Sequence, residues 1–195
     1  MTLFTRLRDA LMGPVQKLLD TQHSLRGFRV VVENSRPDIA TADVLERLDD
    51  ALGLIERYQP WRFRHLRRDV NRIWVVRYAC RGAFFPDTRT CMTELTFLNR
   101  RDISAATVAS SILHEGVHAR VHAMGVTRAE SLLAREERLC RRAELAFGRA
   151  LPAELGAAVI QRAEESLMLV DTDVAPAIDW AEAQRRVRAI DEESH

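Results

Sequence analysis

Residues 110–120 read Ser-Ser-Ile-Leu-His-Glu-Gly-Val-His-Ala-Arg and contain the pattern H-E-x-x-H. In a helix, His114 and His118 would lie one turn apart on the same face. Two imidazoles at this spacing can reach one Zn²⁺ ion, and Glu115 beside them is placed to deprotonate a water rather than to bind the metal. We therefore predict a metal site with His114 and His118 as ligands and Glu115 as the catalytic base.

The flanking residues predict that this stretch belongs to a half-buried helix. Apolar side chains recur there at helical spacing, at Val108, Ile112, Leu113, Val117 and Val121. Asp102 or Ser104 can cap the start of the helix, and Gly125 can end it. This context favours a metal site over a chance occurrence of the motif.

Composition indicates an ordinary globular chain. It has 195 residues, a hydrophobic fraction of 47% and a formal net charge of +1. We expect a single domain over 1–195, with helices in 1–25 and 177–195 as appendages. The balanced charge predicts no general affinity for nucleic acid or for anionic membranes. The basic and aromatic stretch 61–68 is interpreted as a solvated helix face.

The cysteines and the amino-terminal residues bear on location. Cys80, Cys91 and Cys140 are too few for a disulfide framework, and no C-x-x-C pair suggests a zinc ribbon. Cys80 and Cys91 flank a predicted hairpin and could be close in space, and we interpret them as small buried side chains in a reducing compartment. The amino-terminal residues lack a secretory signal, and no apolar run is long enough to cross a membrane. The expected location is the cytoplasm, without a membrane partner.

Hydrophobic periodicity predicts an α+β fold with a small sheet of about three strands. The predicted strands are 28–33, 73–80 and 91–98. Helices are predicted over 2–20, 42–58, 61–70, 102–125, 127–147, 153–169 and 178–191, with 82–90 as a connection and 171–176 as a linker. A capping box at Thr127 and Glu130 opens the helix that follows the H-E-x-x-H segment.

A catalytic zinc site normally has three protein ligands, so a third must be found. Metzincins place a His six residues after the second one, but that position is Met124 here. His122 continues the same helix face, and a straight helix reaches one ion poorly with residues eight apart. We interpret His122 as a neighbour of the site or a surface residue.

A carboxylate from the next helix is the remaining source of the third ligand. Glu136 and Glu137 are the first candidates, with Glu130 and Glu144 behind them. Periodicity leaves the choice open, because Glu136 falls in one apolar stripe and Glu137 shares the face of Cys140 and Glu144.

With this pattern the chain resembles gluzincin-type zinc metallopeptidases, which follow H-E-x-x-H with a Glu on the next helix. His118 and Glu137 are separated by 18 residues, a spacing similar to that of the gluzincin aminopeptidases. Residues 136–147 also resemble the second-helix signature of a group of small bacterial zincin-like proteins, in which a Glu recurs three residues before a Cys. The resemblance covers about 73–152 and implies that Glu137 is the third metal ligand.

One departure from the gluzincin pattern concerns the second helix. Many gluzincins carry an Asp four residues after the third ligand, where it orients a ligand His, but Arg141 stands there. Glu144 is the candidate for that role, and a surface carboxylate paired with Arg141 or Arg128 is the alternative. Tyr78, His122, Arg77 and Arg142 are all conceivable oxyanion donors, and none is assigned.

The resemblance implies a zincin-like fold with one Zn²⁺ per chain, and a peptidase acting on a peptide or protein substrate. It implies that the strand ending near Asn99 lines the cleft and holds an extended substrate. Two alternatives stay open. One is a zincin fold that serves as a metal-binding sensor or interaction module without efficient catalysis. The other is a DNA-associated protease similar to the SprT group, for which the Arg62–Arg72 patch is the only support.

Overall fold

The computed structural model describes residues 20–126, 132–174 and 179–193. The strands are β1 (Asp20–Leu25), β2 (Phe28–Glu33), β3 (Arg72–Val76), β4 (Gly82–Phe85) and β5 (Thr90–Glu94). The helices are α1 (Thr41–Tyr58), α2 (Pro60–Asp69), α3 (Leu95–Asn99), α4 (Ala105–Ala123), α5 (Leu133–Ala150), α6 (Ala153–Leu167), α7 (Asp171–Val174) and α8 (Trp180–Glu193). The prediction of a mixed α and β fold is confirmed.

The described strands form one five-stranded sheet in the order β1-β2-β3-β5-β4. The inner pairs β2–β3 and β3–β5 are parallel, whereas β1 and β4 lie antiparallel at the two edges. The prediction of about three strands was therefore wrong, because the described sheet has two strands more. All five residues of β5 are buried, as expected for a strand covered on both faces.

Both missed strands are edge strands with weak sequence signals. β1 carries the polar run Thr21–Ser24 and falls in a region predicted as part of the amino-terminal helix in 1–25. A two-residue turn with positive φ at Arg26 (47°) and Gly27 (80°) joins β1 to β2, as in tight hairpins. β4 lies within 82–90, which was predicted as a connection. The rest of the predicted amino-terminal helix, 1–19, is outside the described residues.

The strand predicted over 91–98 ends early. β5 stops at Glu94, and the next five residues form α3. The side chain of Glu94 accepts a hydrogen bond from the Phe97 backbone N–H at 2.7 Å and so caps α3. The strand predicted over 73–80 likewise ends at Val76, and the predicted linker 171–176 contains the short helix α7.

Most helices match their predicted ranges. α1, α2, α4, α6 and α8 start and end within a few residues of the predictions. α5 begins at Leu133, and the capping box proposed at Thr127 and Glu130 lies outside the described residues. None of the described helices is both long and apolar enough to cross a bilayer.

The central element is α4, which carries the H-E-x-x-H pattern. It packs against α1, α2 and α5 and against strands β4 and β5. Its apolar side chains Val108 and Ile112 belong to the same core as Val30 and Ile73 of the sheet and Phe147 of α5. The motif is therefore held between the sheet edge and the next helix.

Candidate metal centre

The two histidines of the motif are buried on one face of α4. Ser104 caps the helix by accepting a hydrogen bond from the Thr107 backbone N–H at 3.2 Å, which decides between the two predicted caps. His114 is 8% exposed and His118 is 5% exposed. Their ring centres are 5.0 Å apart, as expected for residues one turn apart.

Glu137 on α5 faces the same edge of both imidazole rings. One carboxylate oxygen is 3.1 Å from Nε2 of His114, and the other is 3.2 Å from Nε2 of His118. The structure thus brings together the three residues predicted as ligands. It places Glu137, rather than Glu136, opposite the two Nε2 atoms.

Buried carboxylates hold the opposite nitrogen of each ring. Nδ1 of His114 lies 2.7 Å from Oε1 of Glu144, and Nδ1 of His118 lies 2.5 Å from Oε1 of Glu136. A carboxylate at Nδ1 favours the tautomer with the proton on that atom, which leaves Nε2 free to bind a metal. Both imidazoles are therefore oriented with Nε2 toward Glu137.

Glu144 occupies the orienting role that the sequence left open. It is 2% exposed, so it is not a surface carboxylate. Its oxygens also accept hydrogen bonds from the Ser110 hydroxyl at 2.9 Å and from the Arg141 guanidinium at 2.7 Å. Arg141 therefore helps to hold the Glu144 carboxylate beside His114.

Cys140 is the site residue that the sequence analysis missed. It is fully buried, with its Sγ 3.6 Å from Nε2 of His118, and it forms a cluster with His114 and His118 whose donor atoms lie within 4.8 Å of one another. These three side chains are close enough to hold a metal ion together. The sequence contains one signal that could have identified Cys140. It lies three residues after Glu137, so the two side chains share one face of the helix.

The close contacts between carboxylates and histidines shift the pKa values of the site residues. Burial lowers the pKa of His114, but hydrogen bonds to Cys140, Glu137 and Glu144 outweigh it, so that this pKa lies well above its ordinary value. Burial raises the pKa of Glu137, but its contacts with both histidines outweigh it and bring the pKa far below the usual range. The histidines and carboxylates of the site are thus electrostatically coupled through short contacts.

The donor chemistry of this network fits a divalent cation. Glu136, Glu137 and Glu144 contact the two imidazoles, while Arg141 pairs with Glu144. A divalent cation bound to the imidazole nitrogens would offset the negative charge of these carboxylates. Nitrogen, carboxylate and thiolate donors are the ligands that zinc takes in proteins.

Glu115, next to His114 on α4, lies against the start of β4 at the sheet edge. Its side chain is 7% exposed, and burial is the main cause that raises its pKa. Gly82, the first residue of β4, lies so close that an added Cβ would be 3.1 Å from both Oε1 of Glu115 and Oγ of Ser111. The Cys80 thiol donates to the Gly82 carbonyl at 3.1 Å, at the same edge.

The other residues considered from the sequence lie apart from this cluster. His122 is exposed, and its ring lies 5.9 Å from that of Phe84. Arg77 pairs with Glu94 and Asp191, and Arg142 is exposed. Tyr78 packs edge-on against Phe85. Glu130 is outside the described residues.

Comparisons of the chain with family models, with curated proteins and with solved structures found no match.

Proposed function

We propose that this protein is a zinc-dependent metallopeptidase in which His114, His118 and Glu137 bind one Zn²⁺. The observation that supports this function best is the arrangement of the two imidazoles, whose Nε2 atoms face Glu137 while their Nδ1 atoms are held by Glu144 and Glu136. A carboxylate behind each metal-binding imidazole is the usual construction of protein zinc sites.

Glu115 is the proposed general base. Bound zinc would supply a Lewis acid that polarises a substrate carbonyl and makes water more acidic. Glu115 would accept the proton of the attacking water and deliver it to the leaving amine. Burial raises the pKa of this carboxyl toward the range in which a group both accepts and donates a proton efficiently.

An extended peptide would lie along β4, and not along β5 as the sequence suggested. β5 is paired on both sides, with β3 and β4, so its backbone groups are already hydrogen-bonded. Of the described strands, β4 pairs only with β5, and it begins at Gly82 beside Glu115. Strand addition at this edge would bring a scissile peptide bond close to the base.

The free thiols support a reducing compartment as the working location. Cys80, Cys91 and Cys140 form no disulfide. We therefore place the protein in the cytoplasm as part of this proposal, with a peptide or a protein as its substrate.

Hydrolysis by the Glu115→Gln variant tests the proposal. General-base catalysis contributes about 100-fold to 10,000-fold in rate, so cleavage of a peptide library should fall by that factor while zinc content stays the same. Glu164→Gln, which alters an exposed carboxylate paired with Arg149, is the matched control and should cleave at the wild-type rate. Undiminished cleavage by Glu115→Gln would contradict the role of Glu115.

A metal-binding module without hydrolysis is the second candidate. Cys140 beside the two histidines favours it, because four protein ligands are typical of structural rather than catalytic zinc sites. Chelator-sensitive cleavage of any peptide by the wild-type protein would argue against this candidate.

A further inference from the structure

We propose that Cys140 is a fourth protein ligand of the metal, so that two imidazoles, one carboxylate and one thiolate surround the ion. This inference rests on the metal site of the proposed function, though not on its peptidase activity. Cys140 is fully buried, and its sulfur belongs to the same cluster as the donor nitrogens of His114 and His118.

The distances fit a tetrahedral site. Zinc binds sulfur at about 2.3 Å and imidazole nitrogen at about 2.0–2.1 Å, so two such ligands on a tetrahedral ion lie about 3.6 Å apart. Sγ of Cys140 is 3.6 Å from Nε2 of His118. Nitrogen and carboxylate ligands on the same ion lie about 3.3 Å apart by the same geometry. The two contacts of Glu137 with the histidines, 3.1 and 3.2 Å, are close to this value.

Helix geometry allows both α5 residues to reach one ion. Glu137 and Cys140 are three residues apart, and such residues are neighbours on a helix face. The same sulfur is 3.8 Å from Nδ1 of His118, so a thiol that merely packs against the ring is the alternative. The two possibilities differ in whether a metal–sulfur bond forms.

The charge of the four donors also suits a divalent ion. Two neutral imidazoles, one carboxylate and one thiolate carry a total charge of −2, which would neutralise Zn²⁺. Such a site has no open position, whereas catalytic zinc sites keep one. The thiolate of Cys140 would then have to leave, or the ion to accept a fifth ligand, before a substrate carbonyl could bind.

Cobalt substitution tests the proposal without any activity measurement. The metal-free protein is loaded with Co²⁺, and its near-ultraviolet absorption is recorded for wild type, Cys140→Ser and Cys80→Ser. We expect a thiolate-to-cobalt charge-transfer band in wild type and in Cys80→Ser, and its loss in Cys140→Ser. Cys80 is the matched control because its thiol lies beside Glu115 but outside the cluster.

Three outcomes would overturn the proposal in distinguishable ways. Cobalt bound to wild type without the band would leave the metal site intact and make Cys140 a packing residue. A band that persists in Cys140→Ser would assign the sulfur to another cysteine. Failure of wild type to bind either cobalt or zinc would overturn the metal site and the proposed function together.

X-ray absorption of the zinc-loaded wild type decides the question if Cys140→Ser does not fold. One sulfur neighbour at about 2.3 Å supports the proposal, and a shell of nitrogen and oxygen alone at about 2.0–2.1 Å contradicts it.

Discussion

The two histidines of the motif are each held by a buried carboxylate that comes from α5. His114 contacts Glu144, and His118 contacts Glu136. These carboxylates hold the rings in place and make the imidazoles better ligands, because a negative charge at Nδ1 favours charge donation through Nε2. In the proposed site, the affinity for metal would therefore depend on residues that do not touch the metal.

We predict that Glu144→Gln binds zinc about 10-fold to 100-fold more weakly than wild type, because the imidazole of His114 loses its anionic partner. Competition against a chromophoric chelator measures the dissociation constant. Glu164→Gln, at an exposed position, should bind zinc like wild type. Equal affinity of Glu144→Gln and wild type would show that the carboxylate does not support the ligand.

At the scale of single residues, the sequence predicts the motif but not its full surroundings. The spacing of His114 and His118 identifies the pair because a helix repeats every 3.6 residues. Glu136 and Glu137 are adjacent, and only the rotation of α5 relative to α4 decides which of them faces the Nε2 atoms. Cys140 shares a helix face with Glu137 in the sequence, but the sequence pattern does not show that its sulfur lies beside the ring of His118.

At the scale of elements, the edge strand β4 packs closely against Glu115, the proposed base. Gly82 allows the backbone of β4 to approach Glu115 and Ser111 more closely than a residue with a Cβ would. This close approach is the packing reason for a glycine at the start of the strand.

We predict that Gly82→Ala displaces the Glu115 carboxylate, since the new Cβ would be 3.1 Å from Oε1. Peptide hydrolysis should fall by up to about 100-fold, the loss that a small misplacement of a catalytic group can cause. Zinc content should not change, because Glu115 is not a ligand.

Gly53→Ala is the control for this prediction. Its Cβ would meet the flexible end of the Arg26 side chain, which can move away. If Gly82→Ala cleaves peptides as fast as Gly53→Ala, the close contact between β4 and Glu115 has no catalytic role.

Elements with strong periodicity or caps were predictable, and the short edge strands were not. The apolar stripes of α1 and α4 repeat over five turns, so their ranges match the structure. β4 has only four residues and follows an irregular stretch, so its pairing with β5 is decided by tertiary contacts. The end of β5 depends on the cap that the Glu94 side chain makes, which strand propensity does not reveal.

At the scale of the whole molecule, an ion-pair cluster joins the end of α2 to the helix that carries the motif. Asp69 is 3% exposed and lies 2.7 Å from Nε of Arg68 and 3.7 Å from Nη1 of Arg120 on α4. Burial raises the pKa of Asp69, but the hydrogen bond and charge of Arg68, with the charge of Arg120, outweigh it and lower the pKa below 3.8.

We predict that Asp69→Asn lowers the free energy of unfolding by about 1 kcal/mol at neutral pH, a modest value because Arg68 is largely exposed. A carboxyl with a lowered pKa in the folded state stabilises the protein above its unfolded pKa. This stabilisation is lost as the pH falls through the pKa that Asp69 has in the folded state, which lies below 3.8. Denaturant titrations should therefore show the two proteins converging in acid.

Asp102→Asn is the control for this prediction, because Asp102 pairs with Arg100 at an exposed position and should have little effect. A difference between Asp69→Asn and wild type that does not shrink in acid would contradict the ion-pair explanation.

Zinc stoichiometry tests most directly whether His114, His118 and Glu137 bind a metal. Elemental mass spectrometry of zinc-loaded, dialysed protein should give about one zinc per chain for wild type, as expected for a single site. Zinc should be lost in Glu137→Ala and retained, with weaker affinity, in Glu136→Ala. Wild-type protein without zinc, or equal retention by both variants, would contradict the account.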